Sequence, residues 1–163
     1  MTRAVKDITA PVYEKMIESI DLMKIQCPAC GHHGFTIHGY YSRFVLNDES
    51  KDELLICRIK CPVCGKTHAI LPSLLIPHNR IKLSDAVQII TAADQEELKR
   101  FLDEHLLISI ETVRRLKEAF RKVWKAMIAS EGITIDDQIS RRCVSVFKKQ
   151  FLQISCHQCF SYP

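Results

Sequence analysis

Two different periodicities divide the chain. Over residues 11–24, Val12, Met16, Ile17, Ile20 and Met23 recur at the spacing of one helical face, which predicts a short amphipathic helix. Residues 35–46 are rich in β-branched and aromatic side chains and predict a strand or two. Residues 54–60 predict the return strand, and the charged run NDESKDE at 47–53 the turn between them. Pro72 and Pro77 exclude a regular helix over 71–77 and predict an extended linker.

Beyond that linker the pattern becomes helical. Ser84 is placed to cap a helix over 85–92, and residues 94–104 predict a second with Leu98, Phe101 and Leu102 on one face. A short turn over 105–108 follows. Ser109 then caps a long helix over 110–130, which Gly132 ends. Its apolar stripe is Ile110, Val113, Leu116, Phe120, Val123, Trp124 and Met127, which share one side at about 100° per residue. Beyond residue 132 the pattern is mixed, with a basic pair Lys148-Lys149 and a last C-x-x-C at Cys156 and Cys159.

The cysteines change the picture of the first half. Cys27-Pro-Ala-Cys30-Gly31 and Cys61-Pro-Val-Cys64-Gly65 repeat one C-P-x-C-G pattern at the two ends of the expected hairpin. Two residues between thiolates allow a tight turn to aim both sulfurs at one ion, and the glycine can take positive φ. Four thiolates are the closed tetrahedral set of structural zinc, with no position left for a reacting water. Cys27, Cys30, Cys61 and Cys64 are therefore the expected metal ligands and Zn2+ the expected cofactor. Cys57 reads as a small core residue, while His32, His33 and His68 are placed to pack near the knuckles or to donate hydrogen bonds to their sulfurs. Cys156 and Cys159 have ligand spacing without a second pair; Cys143 plus a histidine, a second chain, or free thiols remain open.

The resulting fold class is α+β: a small β-hairpin zinc ribbon followed by an α-helical, helix-turn-helix-like domain. Residues 1–24 form the N-terminal helix, 25–77 the ribbon, 78–132 the helical domain and 133–163 a tail of uncertain structure.

Composition is that of a globular chain, with 47% hydrophobic and 26% charged residues. No apolar run reaches the roughly 20 residues of a membrane span, and residues 1–20 mix charges with apolar residues unlike a signal peptide. A cytoplasmic protein is expected, in which paired cysteines read as metal ligands rather than disulfides.

The net charge of +4 is modest, but its placement is informative. Arg114, Arg115, Lys117, Arg121, Lys122 and Lys125 crowd the long helix against Glu111 and Glu118. Two helices, a short turn and a basic second helix fit a helix-turn-helix. That geometry nominates Glu111, Thr112 and Arg115 for base contacts, and Arg114, Arg121, Lys122 and Lys125 for phosphates. Arg43, Arg58 and Lys60 could add backbone contacts from one hairpin face; Tyr40 and Tyr41 either stack on bases or pack against the ribbon. The acidic residues of the preceding helix, Asp94, Glu96, Glu97, Asp103 and Glu104, count against this reading.

The runs C-P-A-C-G, H-G-Y-Y-S-R and L-L-I-C-R-I-K-C-P-V-C-G-K-T-H, followed by a helix-turn-helix, resemble the N-terminal region of bacterial insertion-sequence transposases and related small mobile-element proteins. The resemblance covers residues 25–127 and implies recognition of element-end DNA, with the four cysteines as zinc ligands and residues 110–127 as the reading helix. Those transposases continue into a catalytic domain with three separated acidic residues. Here about 33 residues follow the long helix, and Asp136 and Asp137 are adjacent.

The expected function is a non-catalytic, zinc-dependent, sequence-specific DNA-binding protein, either a mobile-element recognition module or a transcriptional regulator. No Ser-His-Asp set, phosphate loop or metal-binding carboxylate group is legible. Expected partners are double-stranded DNA and either a second copy or a transposition or integration protein, with no membrane and no small-molecule substrate. The alternative is a zinc-ribbon adaptor that docks proteins without touching DNA.

Overall fold

The computed structural model describes residues 8–72 and 74–131, with side chains to 122, and the backbone of 159–162. The chain is α+β. Helix α1 spans Ala10–Glu18, strands β1 and β2 span Thr36–Leu46 and Lys51–Lys60, and β3 spans Thr67–Pro72. Helices α2 (Leu83–Thr91), α3 (Gln95–Glu104) and α4 (Ile110–Glu131) follow, and β4 is Cys159–Tyr162. The sheet order is β1-β2-β3-β4; the first three strands are antiparallel, and β4 runs parallel to β3.

The expected hairpin is thus extended by a third antiparallel strand, only the last two residues of which, Leu71 and Pro72, fall in the expected linker. β3 enters at Thr67, directly after the second knuckle, and pairs Thr67, His68 and Ala69 with Lys60, Ile59 and Arg58. Pro72, which lacks an N–H, falls at the end of the strand, where the ladder is least disturbed. Within the tail, residues 159–162 add β4; the remainder, with Cys143 and Cys156, lies outside the described residues.

Helix α1 is shorter than its apolar spacing suggested. The Ser19 hydroxyl bonds back to the Met16 carbonyl, and beyond it the backbone is drawn toward the first knuckle. Phe35 N–H donates to the Leu22 carbonyl and Gly34 N–H to the Ile25 carbonyl, so residues 22–25 serve the knuckle instead of a further helical turn.

Tyr13 ties α1 into the sheet. Its hydroxyl donates to the Ile70 carbonyl and accepts from the Cys57 N–H, both at 2.9 Å. The β2–β3 pairing ends at Arg58–Ala69, so the phenol satisfies the backbone groups of the next rung. Side chains in β2 alternate in direction. Leu54 and Ile56 join a cluster with Ile8, Tyr13, Val45, Ala69, Leu71 and Leu75. Cys57 and Ile59 join another with Ile20, Cys27, Phe35, Cys61 and Ile70.

The helical region has its own core of Ile76, Ile81, Ala86, Ile89, Leu98, Phe101, Ile108, Val113 and Leu116. Residues 74–82 strap it to the sheet: Leu75 packs into the sheet and Ile76 into the helices. Leu46 N–H donates to the Arg80 carbonyl at 2.7 Å, and Leu83 N–H to the Leu74 carbonyl at 2.8 Å.

Helix α2 begins at Leu83 with Lys82 as its cap residue, so Ser84 is not the cap. Its hydroxyl instead donates to the Asp85 carboxylate at 3.0 Å. The Ser109 cap is as anticipated, its Oγ accepting from Thr112 N–H at 3.2 Å, and Asp94, expected within the second helix, caps it instead, its Oδ1 accepting from Glu97 N–H at 2.8 Å.

Candidate metal centre and basic helix

The two knuckles adopt one backbone pattern. Gly31 N–H returns to the Cys27 carbonyl at 2.8 Å and Gly65 N–H to the Cys61 carbonyl at 3.0 Å. Cys27 N–H donates to the His32 carbonyl at 2.7 Å and Cys61 N–H to the Lys66 carbonyl at 2.9 Å. Both glycines sit at positive φ, +76° and +69°, a conformation that a side chain would strain.

This symmetry brings the four sulfurs within 4.8 Å of one another. Cys27 and Cys64 Sγ lie 3.7 Å apart and Cys30 and Cys61 Sγ 3.6 Å apart. An ion bound tetrahedrally at about 2.3 Å per sulfur would set its ligands about 3.8 Å apart. The donor set and its dimensions therefore fit a metal ion. Cys27 and Cys61 are buried, and Cys30 and Cys64 face outward.

The surroundings prepare the thiols unequally. The Cys64 N–H, aided by that of Val63, holds the Cys61 thiol down to about 7 against the opposing effect of burial. The His32 N–H pulls the Cys30 thiol down, but desolvation and hydrogen bonds shared with Cys64, Cys61 and Cys27 outweigh it and leave that thiol pushed up to about 12. A bound metal ion would replace the proton that Cys30 holds so tightly.

His68, buried in β3, places Nε2 3.9 Å from Cys27 Sγ and meets the Phe35 ring edge-on. It borders the sulfur cluster without joining it. Cys57 is buried in the same core cluster, and burial pushes its thiol up, as suits a packing residue.

The residues nominated on the long helix lie together on α4. Val113, Leu116 and Phe120 are buried, while Glu111, Arg114, Arg115, Glu118, Arg121 and Lys122 are exposed. Ile110 departs from the expected stripe and is exposed. At about 100° per residue it lies some 90° from the centre of the buried side, and in the first turn no preceding helical residue flanks it.

Glu111 is enclosed by its own helix: Arg114 donates to it at 2.8 and 2.9 Å and Arg115 at 2.8 Å. These hydrogen bonds, with Arg114's contribution first, hold its carboxyl down to about 2. Lys122 pairs with Glu118 at 2.9 Å. Thr112 is half-buried, its hydroxyl 3.0 Å from that of Ser109. Lys125 belongs to α4, but its side chain lies outside the described residues.

Arg43 and Arg58 share a sheet face by register, opposite Leu54 and Gly39. Arg43, however, turns its guanidinium to the Ile76 and Asn79 carbonyls and pins the strap to β1. Arg58 donates to the Thr67 hydroxyl across the ladder at 2.9 Å. Tyr40 is exposed beside α1.

A second polar cluster went unread in the sequence. Asp48, Asp85 and His105 bring ligand-type atoms within 4.8 Å of one another. Lys82, its side chain 4% exposed, places its ammonium 2.6 Å from Asp48 Oδ1. The cluster therefore contains its own cation and links the β1–β2 turn to α2 and α3. The legible signal was Asp85 itself, a carboxylate four residues before buried Ile89 on the inward side of α2.

Among the described residues no helix is long and apolar enough to cross a membrane. No curated protein and no solved structure matches the chain. Residues 27–116, more than half of the chain, match the family described as Domain of unknown function (DUF6431). That span runs from the first sulfur ligand to Leu116 in the helical core, so the cysteine cluster and the start of α4 fall inside one family unit, and the chain belongs to the DUF6431 family.

Proposed function

We propose that this protein is a non-catalytic, zinc-dependent DNA-binding module in which the four-thiolate site holds the ribbon and α4 reads the duplex. The observation that carries the reading is the split of α4: Val113, Leu116 and Phe120 are buried, and the opposite face shows Arg114, Arg115, Arg121 and Lys122. Four cysteine thiolates at tetrahedral spacing favour zinc in a structural site, because no ligand position is left for a reacting water. Helices α3 and α4, joined by a short turn, are the helix-turn-helix of this reading, with α4 in the major groove. Intrahelical partners of the cations do not oppose it. Pairs such as Arg115–Glu111 and Lys122–Glu118 are exposed and contribute little to stability, so phosphates can displace them. The layout of the resembled transposase regions supports a mobile-element recognition module, with a transcriptional regulator as the other form of the same activity.

The test is fluorescence anisotropy of labelled duplex DNA against the zinc-loaded chain across a salt series. Affinity should fall with a log–log slope of about 0.9 per phosphate contacted. Arg115→Ala with Lys122→Ala should reduce that slope by about 1 per residue and leave the thermal midpoint unchanged. Absence of binding at low salt would overturn the reading.

One observation favours the adaptor alternative. A groove of about 240 Å³ beside α1 is lined by Tyr13, Glu14, Ile17, Glu18, Tyr40 and Leu55, an apolar floor with an acidic rim. In that reading the groove takes a basic protein segment, and α4 meets no DNA.

A further inference from the structure

The turn between α3 and α4 breaks the rule that the rest of the helical region obeys. Leu106 is 85% exposed, Leu107 43% and Ile110 77%, while their neighbours Ile108 and Val113 are buried. Ile110 opens α4, and Leu106 and Leu107 lie in the turn just before it. Taking Ile110 as origin and 100° per residue, Arg114, Arg121, Glu118, Lys122 and Arg115 all fall within about 140° of it on one side. Ile110 therefore heads the same face that carries the cations, about 18 Å of helix from Ile110 to Lys122.

An apolar tip with a cationic shaft behind it matches the chemistry of one surface in particular. In the major groove of B-DNA, thymine is the base whose edge carries a methyl group, and phosphates line the groove on both sides. Of the three polar residues nominated for base contacts, Glu111 has its carboxylate paired with Arg114 and Arg115. At the tip itself the exposed side chains are apolar, so apolar contact adds to the base readout of Thr112 and Arg115. Resting on the DNA-binding reading above, we propose that Leu106, Leu107 and Ile110 are specificity-determining residues that recognise thymine C5-methyl groups in the major groove. A site containing thymines at the positions facing the turn should follow, with affinity supplied by the arginines and lysines and the preference for thymine there by the three apolar side chains.

The test starts from a pool of random 20-bp duplexes enriched on the full zinc-loaded chain. The enriched duplex is then remade with uracil at every thymine, which removes only the C5-methyl groups. Uracil should weaken binding about fourfold for each methyl contacted, from the free energy of burying one such carbon, with the salt slope unchanged. A chain with Leu106→Ser, Leu107→Ser and Ile110→Ser, all exposed positions, should keep its thermal midpoint and salt slope and bind thymine and uracil duplexes alike. Equal affinity of the unaltered chain for both duplexes, with salt-dependent binding intact, overturns the methyl recognition while leaving the DNA reading standing. Failure of any duplex to enrich overturns both. Loss of a self-associated species in the triple-serine chain, with thymine preference kept, overturns the assignment by making the tip a protein contact.

Discussion

The sheet half and the helical half of this molecule solve the same problem by different means. In the helical half, buried side chains from α2, α3, α4 and the strap converge on one continuous cluster. In the sheet half the apolar residues are divided between two smaller clusters, because β2 sends Leu54 and Ile56 one way and Cys57 and Ile59 the other. Neither cluster encloses the loops at the knuckle end, where Cys30 and Cys64 face outward. There a metal ion held by the four sulfurs would do what burial does elsewhere. A region can forgo part of its hydrophobic core when four sulfurs fix its loops, whereas a three-helix cluster has no such substitute and depends on packing.

Metal removal should break this comparison most visibly. Binding at structural zinc sites is on the order of 10 kcal/mol. A chelator should therefore collapse the amide protection of residues 26–34 and 60–67 while that of α2 and α3 persists, as read by hydrogen exchange. Cys61→Ser should do the same without a chelator, and simultaneous loss in both halves would show that they fold as a single unit. The reciprocal cut is Leu116→Ala, which removes a 1% exposed side chain from the helical cluster and should cost about 2–5 kcal/mol in urea denaturation. Metal stoichiometry should not change, and a fall in bound metal would contradict the division.

Tyr13→Phe sharpens the comparison within the sheet half. It keeps the ring but strips the hydroxyl from the Cys57 N–H and the Ile70 carbonyl, for an expected loss of about 1–3 kcal/mol. Burial pushes the native phenol well above its ordinary range, so the group should show no titration by absorbance through pH 10–11 while the fold persists.

The smallest effect concerns the seam between the halves. Burial, against the pull of the Lys82 ammonium, raises the Asp85 carboxyl above its ordinary range. The native carboxyl then holds its proton more tightly than the unfolded one. Its contribution to stability is complete below pH about 4 and is lost as pH rises through the raised native value. The urea midpoint of Asp85→Asn should accordingly gain on that of the unaltered chain between pH 4 and 7, the metal site titrating in both. A midpoint difference independent of pH would remove Asp85 from the seam.

Legibility followed the range of the interactions. Each knuckle is a local object: Cys, Cys and Gly within five residues specify the turn and its returning hydrogen bonds, and the repeat pairs them. The Ser109 cap was readable for the same reason. What escaped was long-range. β3 is a strand because Thr67–Ala69 finds Lys60–Arg58 across the second knuckle, a pairing that Pro72 hides in a one-dimensional reading. Lys82 and Asp85 are buried because Asp48 and His105, remote in sequence, meet them. Arg43 looked like a free cation until the carbonyls of Ile76 and Asn79 came to it. Ile110 was assigned to the buried stripe because periodicity treats a first turn like any other, although its outward side has nothing to pack against.

The Tyr13 hydroxyl has a consequence for where this folding unit begins. The family match starts at Cys27, fourteen residues after the tyrosine that completes the β2–β3 ladder. A fragment cut at the family boundary would retain all four sulfurs and lose α1. It would leave the Cys57 N–H and Ile70 carbonyl to water or to each other, and expose Leu54, Ile56 and Leu71, which α1 helps to cover. The stretch by which relatives are recognised is therefore shorter at its front than the stretch that must be inherited together, and recombination between relatives would not be tolerated between α1 and the first knuckle.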